Sequence, residues 1–412
     1  MPVIHKKRKR RKIGFFLKVW LFILLLGFQV SPPCYVEARE DSLNGSHEEE
    51  TSYFKRHLPK YVYESFTLKG SVVGYYQHYA NATILDRGKA VDFTTCISPQ
   101  LRMTWRPIEQ GALHARLRYT KNRVDLSQEG VVLANLLETD VSAKDNGSVR
   151  LQKLYYSQRF FGDRAFLAFG KTDGETFIDT NAYANDSRTQ FMGQPLVDNP
   201  VLDDEDDYAP FVALGGRPVK HLQLVAIGQS SSWPMAEGGA GKTIWEGMLD
   251  HPYMAAQATY SPGFRGLEGN YRLYGWVQSY DHPKLTGDGY EKGWGIGLSL
   301  DQKVTDDVGL FARLGYQNED VYEMPWFWST GVQMTALLPG READVFGLGI
   351  SGIKANSDTP NTGTEIHLET YYRVRVSKYF FISPDLQYVM NPLGNTDATA
   401  IFAAMLRGTF RF

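Results

Sequence analysis

The chain has 412 residues, and its 44 lysines and arginines nearly balance 46 aspartates and glutamates, leaving a net charge of −2. With a mean hydropathy of −0.33 and no apolar run near the ~20 residues of a membrane helix beyond its N-terminal stretch, it does not fit a bundle of membrane helices. No nucleic-acid partner is expected. The N-terminus opens with the basic run Lys6–Lys12, then an apolar stretch from Ile13 to Val30 broken by Lys18 and Gln29. Val36-Glu37-Ala38 places small residues where a signal peptidase reads them, so residues 1–38 are expected to be a secretory signal cleaved after Ala38. Lys18 and the break at Pro32-Pro33 argue against an uncleaved anchor. Cys34 would leave with the signal, and Cys96, then alone, cannot form an internal disulfide. Residues 39–65 are charged and aperiodic, and read as a periplasmic N-terminal leader.

From Phe66 the pattern changes. Alternating segments recur, separated by Gly, Pro, Asn and Asp. The expected strands are 66–79, 93–106, 111–119, 149–160, 165–171, 209–216, 221–229 and 252–260. They continue at 269–278, 293–302, 308–317, 326–337, 344–351, 364–375, 379–390 and 399–412. Their connections alternate between short and long. An even strand number with short turns on one side and long loops on the other describes a transmembrane up-and-down antiparallel β-barrel of about sixteen strands, an all-β fold over 66–412. The last strand is the clearest: Phe402, Ala404, Leu406, Gly408, Phe410 and Phe412 share one parity, and Arg407 and Arg411 lie on the other. An aromatic C-terminal residue on such a strand suits the girdle at a lipid interface. The expected location is the outer membrane of a Gram-negative cell.

Alternation also assigns faces. Leu113, Ala115 and Leu117 would meet lipid while His114, Arg116 and Arg118 face inward; Arg102, Arg272, Arg313, Arg373, Arg375, Arg407 and Arg411 take the same inward parity. A charge on the lipid face costs ~2–4 kcal/mol near the midplane, so these sets should border a wet interior. A sixteen-strand barrel is wide enough to hold one, and the expectation is a pore rather than a packed core. Arg102, Arg116, Arg118, Arg272, Arg313, Glu365, Glu369 and Asp385 are the expected pore-lining charges, with Trp276 and Tyr371 as aromatic surfaces. Guanidinium and carboxylate groups pair with sugar hydroxyls and aromatic faces stack on sugar C–H faces, which suits a sugar track. A lining that only sets the field and ion preference fits the same residues. The longest loop, 172–208, is the expected constriction, carrying Asp173, Glu175, Asp179, Asn181, Asn185 and Arg188. Its acidic run Asp203–Asp207 reads as a solvated tip, with cation bridging at lipopolysaccharide as the alternative.

Ala236–Thr243 matches a relaxed phosphate-loop pattern, but Ser230–Pro234 rather than a buried strand stands directly before it and no strong helical pattern follows, so it reads as an external loop. The nine histidines show no metal-ligand spacing. No nucleophile–base constellation stands out, so neither an enzyme nor a cofactor is expected.

Several segments resemble the carbohydrate-selective porin family of the OprB type. They are Gly170–Asp173, Asp179–Asn185, Thr189–Phe191, Gly269–Trp276, Phe311–Gln317, His367–Tyr372, Ile382–Gln387 and Asn391-Pro392. The resemblance covers roughly 66–412 and departs from the family at 39–65 and 120–148. It implies a sixteen-stranded barrel and passive diffusion of monosaccharides and related small polar solutes. It leaves open a general or anion-leaning porin on the same fold, and a monomer or a trimer.

Overall fold

The computed structural model describes residues 65–84, 88–123, 126–127, 129–137, 146–202, 208–231 and 251–412. The expected signal and most of the leader, the acidic run 203–207 and the glycine-rich stretch 236–243 lie outside these residues. Within them, sixteen antiparallel strands form a closed barrel. In chain order they are β1 (Phe66–Ala80), β2 (Phe93–Ile108), β3 (Gly111–Tyr119), β4 (Val149–Phe160), β5 (Ala165–Thr172) and β6 (Ala209–Val219). Next come β7 (Leu222–Ser230), β8 (Pro252–Tyr260), β9 (Gly269–Pro283), β10 (Tyr290–Lys303) and β11 (Val308–Gln317). The last are β12 (Trp326–Thr335), β13 (Val345–Lys354), β14 (Thr364–Arg375), β15 (Phe380–Met390) and β16 (Ile401–Arg411). Each strand pairs with its sequence neighbours, and β1 pairs with both β2 and β16, so the barrel presents no open edge.

Every expected strand is present. The largest shift is at β9 and β10, which run to Pro283 and begin again at Tyr290, with a register shift between Val277 and Asp281. Beyond Val277 the outward parity turns polar, so the apolar half of the alternation fades although pairing continues. The lipid face follows the pattern: Phe402, Leu406 and Phe410 on β16 are exposed, while Ala403, Met405, Arg407 and Thr409 between them are buried. The ends of the barrel meet at Phe412. Its N–H and carbonyl both bond to Gly70 (3.0 and 2.8 Å). Its ring lies on the α-carbon of Gly70, where an added Cβ would meet it at 2.1 Å.

The short turns are tight. Phe161, Gly162 and Asp163 all adopt positive φ between β4 and β5. Between β12 and β13, Asp344 accepts bonds from Arg341 (2.7 and 2.8 Å), the Tyr372 hydroxyl (2.9 Å) and the Arg375 N–H (2.8 Å). Burial alone would raise the Asp344 carboxyl, but these donors outweigh it and hold the group below the ordinary carboxylate range.

The interior departs from the expectation of a pore without a packed core. The loops after β3 and β5 turn inward and pack on the wall. Phe177, Ile178 and Leu202 join Phe211, Val225, Ile227, Tyr253, Tyr274 and Trp276 in one cluster. Leu126, Val131, Val132 and Leu136 join Tyr79, Val389, Ile401 and Ala403 in another. The cause lies in the inner wall of β5–β8, which is largely apolar and would face water if nothing covered it.

Candidate functional site inside the barrel

The segment 173–202 enters the barrel from the end of β5. Asp173 caps its first turn, Gly174–Thr176, by accepting the Thr176 N–H at 2.9 Å. Further along, Asp179 meets Arg313 of β11 at 3.0 Å, with side chains 2% and 0% exposed, and accepts the Tyr274 hydroxyl at 2.9 Å. Asn185 accepts from Arg313 at 3.2 Å, and Asn181 donates to the Leu300 carbonyl at 3.0 Å. Arg272 is held by Asp301, which also accepts the Ala182 N–H. Arg407 donates to the carbonyls of Ser187 and Gln190 (2.5 and 2.7 Å), and Arg373 donates to that of Thr189. Glu369 accepts the N–H groups of Met192 and Gly193 (2.5 and 2.8 Å). On the far side Arg188 reaches β2, donating to the Ser98 carbonyl and hydroxyl (2.9 and 2.8 Å). The segment therefore spans the lumen between two walls.

The loop after β3 is fixed as firmly. Glu365 accepts the N–H groups of Leu133 (2.8 Å), Ala134 (3.2 Å) and Leu393 (2.7 Å), and bonds to His367 Nε2 (2.7 Å). Gln387 donates to the Leu136 carbonyl, and the Gln194 N–H donates to the Asn135 carbonyl, which joins the two inserted loops.

Glycines make room for this filling. On β10, β11, β12 and β13 the inward parity carries Gly295, Gly297, Gly309, Gly315, Gly331, Gly347 and Gly349. Rings of the preceding or following strand cover four of them: Trp276 on Gly295, Tyr274 on Gly297, Phe311 on Gly331 and Tyr371 on Gly347. The inserted loop covers the other three, with Tyr183 on Gly309, Val201 and Asn199 on Gly315, and Leu196 and Phe191 on Gly349. Phe191 then packs edge-on to Tyr371 (5.0 Å) and tilted on Phe311 (5.4 Å).

The expected site residues thus fall into two groups. Arg272, Trp276, Arg313, Glu365, Glu369, Tyr371 and Asp385 are buried beneath the inserted loops, and Asp385 lies beside Glu369 and Arg407. This is a correction to their expected surroundings: alternation gives the inward direction, and the loops then cover those side chains. Arg102 and Arg116 keep partly exposed side chains on a wall made by β2, β3 and β4, where Arg118 donates to Ser98 Oγ at 3.1 Å. Asp173 faces this wall and is shared by Arg116 and Lys153, at 3.2 Å each, with side chains 15% and 18% exposed. Glu175, in the same first turn, is partly exposed.

Sequence reasoning missed Lys153, Arg150 and Tyr208. Lys153 follows a bulge opposite Arg116 and Leu117, which breaks the parity of β4. Tyr208 comes from the loop end: the Arg116 guanidinium donates to its hydroxyl at 2.7 Å, and Arg116 and Arg150 both lie over its ring, at 5.2 and 5.6 Å from the centroid. Among the described residues no group of three His, Cys, Asp or Glu could hold a metal ion.

A barrel of sixteen strands, closed to lipid and narrowed by its own loops around a charged wall, is the architecture of a porin. The chain belongs to the OprB family of carbohydrate-selective porins, whose family model matches residues 126–412. Two solved structures of Pseudomonas putida OprB share the fold. The high-pH form matches with a TM-score of 0.70 at 16% identity, covering 85% of this chain and 94% of that one. The low-pH form matches with a TM-score of 0.52 at 16% identity, covering 85% and 93%. An anion-selective porin from Comamonas acidovorans matches with a TM-score of 0.52 at 11% identity, covering 84% and 99%. No curated protein matches by sequence. Family and fold define a channel of the bacterial outer membrane for small solutes, rather than an enzyme.

Proposed function

We propose that carbohydrates and other small hydrophilic solutes diffuse passively along the β2–β4 wall, past Arg102, Arg116, Arg118 and Lys153 on one side and Asp173 and Glu175 on the other. The supporting observation is the contrast in burial around the barrel. Arg272, Arg313, Glu365, Glu369 and Asp385 on β9–β15 are buried, whereas Arg102, Arg116, Arg150 and Lys153 remain partly accessible. On this reading Arg313, Glu369 and Glu365 act by holding the loops rather than by touching solute. A sugar moving along the wall exchanges hydrogen bonds with guanidinium and carboxylate groups, each stronger than a neutral bond, and no step requires energy coupling. The exposed rim residues Asp281, Lys284, Glu291, Lys292 and Asp320, joined in ion pairs, would border lipopolysaccharide. Conductance across a planar bilayer, titrated with glucose, tests the reading. Saturable block is expected. Ohmic conductance that glucose never blocks would leave a general, anion-leaning porin, a second reading favoured by the arginines of the same wall.

A further inference from the structure

Two buried arginines of the lumen pair with carboxylates, Arg313 with Asp179 and Arg272 with Asp301, and two others, Arg407 and Arg188, donate to carbonyl and hydroxyl oxygens. The β2–β4 wall sets several cations side by side. Strand register sets Arg102 directly opposite Arg116, and Arg116 opposite Lys153. One rung higher, Arg118 stands opposite Arg150. Like charges directly opposite one another destabilise a strand pair, so sheet stability alone does not favour this order. Asp173 serves two of these cations at once, and the ring of Tyr208 lies against Arg116 and Arg150. The two rungs lie two residues apart along a strand, about 6.6 Å, which is the scale of a single sugar ring.

We propose that the solute this wall favours is an acidic monosaccharide, whose carboxylate or phosphate sits on the Arg102–Arg116–Lys153 rung while its hydroxyls meet Arg118 and Arg150. Guanidinium forks bind both kinds of anion bidentately. This inference rests on the carbohydrate reading above and narrows it.

The test is current block of the full protein in planar bilayers by glucose, glucuronate, glucose 6-phosphate and inorganic phosphate. A charge-assisted hydrogen bond in place of a neutral one predicts half-block by glucuronate or glucose 6-phosphate at about tenfold lower concentration than by glucose. Which of the two acids blocks better distinguishes carboxylate from phosphate. Raising KCl should shrink this advantage in the unaltered protein, because salt screens the charge term. Arg102→Gln and Lys153→Gln should each reduce it as well. Equal block by glucose and both acids, or an advantage that survives high salt and both substitutions, overturns the inference and leaves the carbohydrate reading standing. Block by inorganic phosphate as strong as by the acidic sugars overturns it too, in favour of a plain anion site. Absence of block by every sugar removes the carbohydrate reading itself.

Discussion

Arg313 shows how a single residue fixes the interior. Its guanidinium is fully buried and its carboxylate partner, Asp179, lies 134 residues earlier in the chain. A buried pair gains little over an apolar substitute, but removing one member strands the other charge. Arg313→Ala should therefore cost about 3 kcal/mol or more in the stability of the packed interior, and the Asp179→Ala, Arg313→Ala double variant should lose less than Arg313→Ala alone. Heat-induced unfolding in detergent, followed through the double-mutant cycle, measures this; additive losses would show that the two charges act independently. The inward direction of Arg313 was legible from its alternation with Leu310, Ala312 and Leu314. Its partner was not, because Asp179 sits in a loop with no period, and nothing local ties a loop carboxylate to a strand so far away. The same holds for Glu369, whose partners are backbone N–H groups of Met192 and Gly193 and carry no side-chain signature.

At the scale of elements, strands were legible and loops were not, for one physical reason. A strand between lipid and lumen must alternate, whereas the loop after β3 takes its shape from the surface it covers. A signal for that covering was nevertheless present in the inward-parity glycines of β10–β13. A wall open to water has no need of glycine at those positions, and Gly309, Gly315 and Gly349 are where loop side chains come closest. A Cβ at Gly315 would stand 2.4 Å from Val201 Cγ2 and 2.7 Å from Asn199 Oδ1. Gly315→Leu should unseat the inserted segment and raise single-channel conductance while the barrel stays closed; unchanged conductance with an intact barrel would show that the loop seats elsewhere. The turn at Asp344 offers a pH-dependent counterpart. Its folded carboxyl is held low, so the stabilisation it provides is complete above the unfolded value of about 3.9 and disappears as pH falls through the folded one. Asp344→Asn should cost heat resistance at pH 7 and much less near pH 2, and an equal loss at both would discount the charge.

The whole molecule separates two tasks that the sequence pattern had merged into one. The closed wall satisfies its own backbone strand by strand, and the inserted loops fill part of the space it encloses. Strand count, sidedness and family were therefore readable from periodicity and short motifs, whereas the off-centre position of the accessible wall depends on contacts between segments far apart in the chain. Closure brings a different consequence. The seam joins β1 to β16, and Phe412 fastens it with two backbone bonds and a ring laid on Gly70. Pairings that span almost the whole described chain form slowly, because the loop they close is the longest available. Until β16 docks on β1, each seam strand keeps one edge unpaired, and an unpaired edge recruits other chains. The slower β16 docks, the longer these edges stay open and the more of the newly made protein is exposed to aggregation.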